Sequence, residues 1–289
     1  MRVARRWLAA EEPVAAVTRH ARRAEEFRAT GILPIIAEVT QPASLEQLRT
    51  LLGPGDTLLY AVGYDRSAGL AMDQVYVEGL RHVLAAIHPE IGRVIYISST
   101  GVYGQVAGET IDEESPTEPT REGGRVCLAA EQALLASPFG ARSVILRLAG
   151  IYGPGRVPNR ADLLAQKPLP FDPASALNLV HVEDAATVVL AAEKSATTPR
   201  AYVVSDGHPV ARGDYYAELA RLWNTSMPTF ATPGEPDPTR GATIAAPRRG
   251  GADKRVDPTR MRRELAPVFQ YPDYRAGLRG IAELEQNEK

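Results

Sequence analysis

Short apolar runs recur along the chain and are separated by longer stretches of mixed character. The runs are residues 14–17 (VAAV), 32–37 (ILPIIA), 56–62 (DTLLYAV), 93–97 (RVIYI), 143–148 (SVILRL) and 201–205 (AYVVS). Each is nearly continuous rather than alternating, the pattern of strands covered on both faces in a parallel sheet. The stretches between them carry a helical period instead. In residues 1–10, Val3, Trp7 and Ala10 share a face with Arg2, Arg5 and Arg6 between them, and in residues 71–87 the same period runs through Val75, Leu80, Val83, Leu84 and Ile87. Further helices are expected over 125–136, within 206–223 and over 258–265. Strands alternating with helices predict an α/β doubly wound parallel sheet. Residues 156–175, with Pro168, Pro170 and Pro173, leave that pattern and begin a smaller lobe. The expected division is therefore 1–155 with 176–204 for the sheet domain, and 156–175 with 205–289 for the lobe.

The fourth run ends abruptly in RVIYISSTGVYG, residues 93–104, which sets Ser98, Ser99 and Thr100 at the carboxyl end of a buried strand. In open α/β sheets ligands bind at that edge, and a hydroxyl there can hydrogen-bond a desolvated substrate oxygen. A plain serine-rich turn reads the same way. Residues 106–122 are polar, rich in proline and acids, and expected to be irregular and to overhang this edge. Arg147, inside the next strand, is expected to pair with a carboxylate.

Four segments stand in one order: SSTGVYG, LAAEQALL at 128–135, LRLAGIYGPGR at 146–156 and NLVHVEDAA at 178–186. The series resembles the extended and atypical short-chain dehydrogenase/reductases, the NAD-dependent epimerase/dehydratase family, over about residues 14–278. That resemblance implies a Rossmann-like fold and an NAD(P)-dependent oxidoreductase or epimerase. It would act on a hydroxyl or carbonyl of a small molecule, with a sugar or nucleotide sugar among the substrates considered. It implies Ser99 as the catalytic, substrate-binding hydroxyl; Tyr103 is usually structural in this motif and is expected as a substitute catalytic acid because the family's own tyrosine is missing here. Around the cofactor it implies Arg19, Glu38, Ala61, Gly63, Ser98, Gly150 and Tyr152, and at the substrate Thr100 and Asn178. His181 is read as structural.

Two departures stand out. No glycine-rich phosphate loop precedes the run at 14–17, although the residue that reads the ribose normally lies about 20 residues beyond such a loop. The sheet is thus expected to be amino-terminally incomplete, with a first strand and loop upstream of Met1. The family's Tyr-x-x-x-Lys pair is also missing, since alignment on LAAEQ puts Gly123 and Cys127 in those places. Without them the alternative is a non-catalytic NAD(P)-binding sensor or scaffold. At the ribose-reading position stands Arg19, followed by Arg22 and Arg23, where NAD-specific relatives carry an acid. An arginine suits a 2′-phosphate, so NADP is expected over NAD.

Charge adds little for macromolecular partners, with 33 Lys plus Arg against 35 Asp plus Glu. No nucleic-acid partner follows from that balance, and a small-molecule substrate is expected, with a homodimer left open. Cys127 is the only cysteine, which rules out an intramolecular disulfide and a cysteine metal cluster and suits a reducing cytoplasm. No apolar stretch is long enough to span a membrane.

Overall fold

A computed structural model of the chain describes residues 1–231 and 253–287. The proline-, glycine- and arginine-rich stretch expected to form a flap or arm, 232–251, lies outside the described residues. In chain order the strands are β1 (Ala15–Thr18), β2 (Leu33–Ile36), β3 (Thr57–Tyr60), β4 (Arg93–Ser99), β5 (Glu109–Ile111), β6 (Ser143–Leu148), β7 (Gly150–Tyr152), β8 (Ala176–Leu177), β9 (Leu179–His181), β10 (Arg200–Val204), β11 (Val210–Ala211) and β12 (Lys254–Val256). The α-helices are α1 (Arg2–Ala9), α2 (Ala21–Ala29), α3 (Leu48–Leu51), α4 (Gly79–Ala86), α5 (Glu122–Leu135), α6 (Arg160–Leu164), α7 (Val182–Ser195), α8 (Arg212–Leu222), α9 (Thr259–Leu265) and α10 (Tyr274–Asn287). All six apolar runs of the sequence are strands, and the long periodic stretches are helices.

Two compact units divide the chain. The first comprises Met1–Val102, Pro119–Arg147 and Ala186–Tyr202. Its sheet lies in two pieces, a parallel pair β1-β2 and a four-stranded piece of order β10-β6-β4-β3 in which β3 and β4 run parallel. Ile35, Tyr60, Leu80, Val83, Val94, Tyr96, Leu134 and Ile145 share one core. In a doubly wound order one more strand belongs between β1 and β3. Among the described residues none stands there, so β1 pairs only with β2 and β3 only with β4. Val17, Leu33 and Ile36 of the β1-β2 pair are correspondingly exposed. Helix α1 is tied to α7 by Arg6 donating to Thr187 Oγ1 at 2.7 Å and by the Trp7 indole donating to Glu193 at 2.6 Å.

The second unit comprises Tyr103–Glu118, Leu148–Ala185 and Val203–Lys289. It contains the parallel pairs β7-β9 and β12-β5 and the antiparallel pair β11-β8. Tyr152, Leu169, Tyr215, Tyr216, Tyr274, Leu278 and Ile281 form its core. Gly277 is required there, because a Cβ on it would lie 2.0 Å from the Tyr152 hydroxyl oxygen. One expectation is corrected here. The 106–122 stretch contains a strand, β5, whose Ile111 is buried and whose partner β12 lies far along the chain, a pairing that local composition does not reveal. Residues 103–118, 148–155 and 176–185 also belong with the second unit. Their strands pair with each other or with β12 and β11, and Tyr152 packs on α8 and α10.

Candidate active site

In the first unit the site is built on the end of β4. Successive strand residues point to opposite faces, and Ser98 is turned inward, buried, with its hydroxyl donating to Glu131 at 2.5 Å. Arg147 of β6 closes on the same carboxylate, Nη2 to Oε2 at 2.7 Å and Nε to Oε1 at 3.1 Å. Arg147 therefore does pair with an acid. Ser98, expected at the cofactor, has its side chain committed to Glu131 instead.

Ser99 is partly exposed. Its Oγ accepts the Gly101 amide at 3.0 Å, which fixes the rotamer and leaves the hydroxyl proton available to a ligand oxygen. Thr100 is partly exposed and opens the tight turn Thr100–Val102. Helix α5 begins hard against that turn, since a Cβ on Gly124 would lie 2.1 Å from the Gly101 carbonyl oxygen. One residue earlier, a Cβ on Gly123 would make only an ordinary contact, 3.8 Å from Met72 Sδ. Four residues after Gly123, burial and then the Glu131 charge push the Cys127 thiol up to about 11. It is a neutral thiol near pH 7 and a poor nucleophile.

The residues expected at the ribose lie at the carboxyl ends of β1 and β3. Arg19 Nη2 meets Asp65 Oδ2 at 2.5 Å, and Arg19 Nη1 stands 3.7 Å from Glu38 Oε2. The Ser67 hydroxyl and amide both donate to the other oxygen of Asp65, and these bonds, with Arg19, hold its carboxyl below the usual range. Glu38 is fixed through its backbone, its amide donating to Ser44 Oγ at 2.9 Å. The Ser44 hydroxyl in turn donates to the Glu38 carbonyl at 3.1 Å. Ala61 and Gly63 are exposed, and a Cβ on Gly63 would meet no atom within 4 Å. Asp65 is not among the site residues expected from the sequence. Its position just past the strand beside the break was the available signal.

The second unit holds the remaining expected residues, and it holds them mostly as structure. The Tyr103 ring is buried and its carbonyl accepts Lys254 Nζ, so this phenol is closed to a substrate. The Asn178 amide donates to the Lys254 carbonyl at 2.7 Å and accepts the Val256 N–H at 2.8 Å, which fastens β12 rather than offering a substrate contact. Gly150 pairs with β9, and a Cβ there would lie 2.9 Å from the Asn178 carbonyl oxygen. Tyr152 is fully buried, its hydroxyl donating to the Asp273 carbonyl at 3.3 Å and its ring edge-on to His181 at 5.2 Å. Burial pushes that phenol far up, and it cannot line a cofactor as placed. His181 lies in the same stack, 3.9 Å from the Tyr271 ring, a structural setting.

A family model for the NAD dependent epimerase/dehydratase family matches residues 1–205. The chain belongs to the NAD-dependent epimerase/dehydratase family. Within it, a relative called Protein YeeZ from Escherichia coli strain K12 is 35% identical over 205 residues, covering 70% of this chain and 67% of the relative. A solved structure of a conserved protein of unknown function from Silicibacter pomeroyi is 28% identical with a TM-score of 0.71, covering 98% of this chain and 94% of the other. A UDP-glucose 4-epimerase from Thermotoga maritima, solved with UDP-glucose, has a TM-score of 0.79 at 16% identity over 99% of this chain and 94% of its own. At that identity it shows the fold alone, and the fold is Rossmann-like.

As a member of an NAD-dependent family the chain can be tested against a dinucleotide. The adenosine-ribose end fits, with a guanidinium, two carboxylates and the open backbone at Gly63 on one edge. The pyrophosphate end does not find its usual glycine-rich loop in this sequence. Among the described residues, no group of three or more His, Cys, Asp or Glu could hold a metal ion, and no helix is long and apolar enough to cross a membrane.

Proposed function

We propose that this chain is an NADP-preferring member of its family acting on a hydroxyl or carbonyl of a small molecule, with a sugar or nucleotide sugar as the substrate class to screen first. The cofactor, when bound, supplies the hydride chemistry. Arg19 at the ribose edge supports NADP, because a guanidinium makes paired charge-assisted bonds to a phosphate. Ser99 supports the substrate assignment, since its fixed Oγ can donate to a carbonyl oxygen or accept from a hydroxyl. Thr100 stands beside it as a second hydroxyl.

The partly exposed Ser99 hydroxyl, with its proton not donated to any protein group among the described residues, carries this reading. A thermal-shift screen of NAD, NADP and nucleotide sugars, followed by NADP-linked turnover of Ser99→Ala on any substrate found, tests it. A Ser99→Ala variant as active as the parent removes the assignment. One observation favours a second reading, that of a dinucleotide-binding protein without turnover: Gly123 offers no proton and Cys127 no positive charge. Ligand binding without any turnover would favour it.

A further inference from the structure

We propose that Asp65 is a specificity-determining residue, a built-in counter-ion that competes with a ribose 2′-phosphate for Arg19. The inference rests on the reading of Arg19 given above. Three groups surround the Arg19 guanidinium: Nη2 donates to Asp65 at 2.5 Å, Nε donates to the His20 ring at 3.2 Å, and Glu38 stands 3.7 Å from Nη1, beyond hydrogen-bond distance. A phosphate is best held by two parallel N–H groups of the guanidinium fork, so at the Nη2 side it competes with Asp65 for Arg19. It must also approach two carboxylates of its own sign. A ribose 2′-hydroxyl meets neither obstacle, because it can donate to Glu38 or Asp65 directly. Asp65, charged and paired, thus holds the preference for a phosphate below what Arg19 alone would give, and loss of its charge raises that preference.

Asp65 is suited to this role by its second oxygen. Ser67 bonds Oδ1 through both its hydroxyl, at 2.6 Å, and its amide, at 2.9 Å, which holds the carboxylate in place independently of Arg19. The side chains of Arg19 and Asp65 are 34% and 42% exposed, so a ligand can reach the pair and water screens it. An exposed pair of this kind is weak, and its removal should change affinity by about fivefold rather than by orders of magnitude. Asparagine at 65 keeps the acceptor for Ser67 and removes only the charge.

The test is calorimetric titration of the full chain with 2′,5′-ADP and with 5′-AMP, for the parent, Asp65→Asn, Arg19→Ala and the double variant. Asp65→Asn should tighten 2′,5′-ADP about fivefold and leave 5′-AMP unchanged. That gain should vanish when Arg19 is alanine. An unchanged 2′,5′-ADP affinity, an equal gain for both probes, or a gain that survives Arg19→Ala would overturn the proposal while leaving the NADP reading standing. If the parent and Arg19→Ala bind 2′,5′-ADP no better than 5′-AMP, the reading of Arg19 fails and the proposal falls with it.

Discussion

Arg147 of β6 holds Glu131 of α5 through Nη2 at 2.7 Å and Nε at 3.1 Å, with the two side chains only 10% and 2% exposed. Ser98 donates to the same carboxylate, so helix, strand and the inward side of the Ser98-Ser99 pair are locked into one unit. Removing one charge of a buried pair strands the other. Glu131→Gln should therefore lose about 3 to 5 kcal/mol in urea denaturation, and replacing both charges by leucine and methionine should recover much of that. A loss below about 1 kcal/mol for Glu131→Gln would show that water reaches the pair.

Gly123 and Gly124 are adjacent in sequence and opposite in consequence. Gly124→Ala should destabilise by about 1 to 3 kcal/mol, because its Cβ would enter the Gly101 carbonyl at 2.1 Å. Gly123→Ala meets only Met72 Sδ at 3.8 Å and should gain up to about 1 kcal/mol of helix propensity. Thermal melts of the two variants side by side check this, and equal melting temperatures would contradict it.

Cys127 is expected to be inert. With its thiol pushed up to about 11 by burial and the Glu131 charge, less than about one part in a thousand is thiolate at pH 7.5. A disulfide reagent should label the folded chain far more slowly than the urea-unfolded chain. Cys127→Ala should leave any turnover intact.

Asp206 gives the chain a pH dependence of definite sign. It is 1% exposed, its Oδ2 has no hydrogen-bond partner, and burial pushes its carboxyl up from 3.8 to about 7 against the opposing His208 amide and Arg262 charge, with Asp273 and Asp184 adding to the rise. Because the folded state holds this proton more tightly, the stability it contributes is full below about pH 4, falls as pH climbs through about 7, and is gone above that. Asp206→Asn escapes the loss. Its advantage over the parent in denaturation experiments should be larger at pH 8 than at pH 5 by roughly 2 kcal/mol, and an advantage independent of pH would refute the shift.

The strands and most helices were legible because burial on both faces writes itself as unbroken apolar runs, and helix packing as a period. The break beside β1 was legible too, since a missing phosphate loop implies a missing strand before it. Side-chain orientation was not. Ser98 and Ser99 are neighbours of one type, and only the location of Glu131 decides that the first turns inward. Asn178 and Tyr152 occupy family motifs, yet their roles here depend on β12 and on α10, elements that lie 76 and 122 or more residues away. Asp65 became visible as Arg19's partner only when the ends of β1 and β3 were brought together.

Arg19 is proposed to make this chain a reader of NADP. The most direct test is titration of the parent and of Arg19→Ala with NADP and with NAD under identical salt. The parent should bind NADP about tenfold more tightly than NAD, and Arg19→Ala should erase the difference by weakening NADP alone. Equal affinities in the parent, or a preference that survives the loss of Arg19, would contradict it.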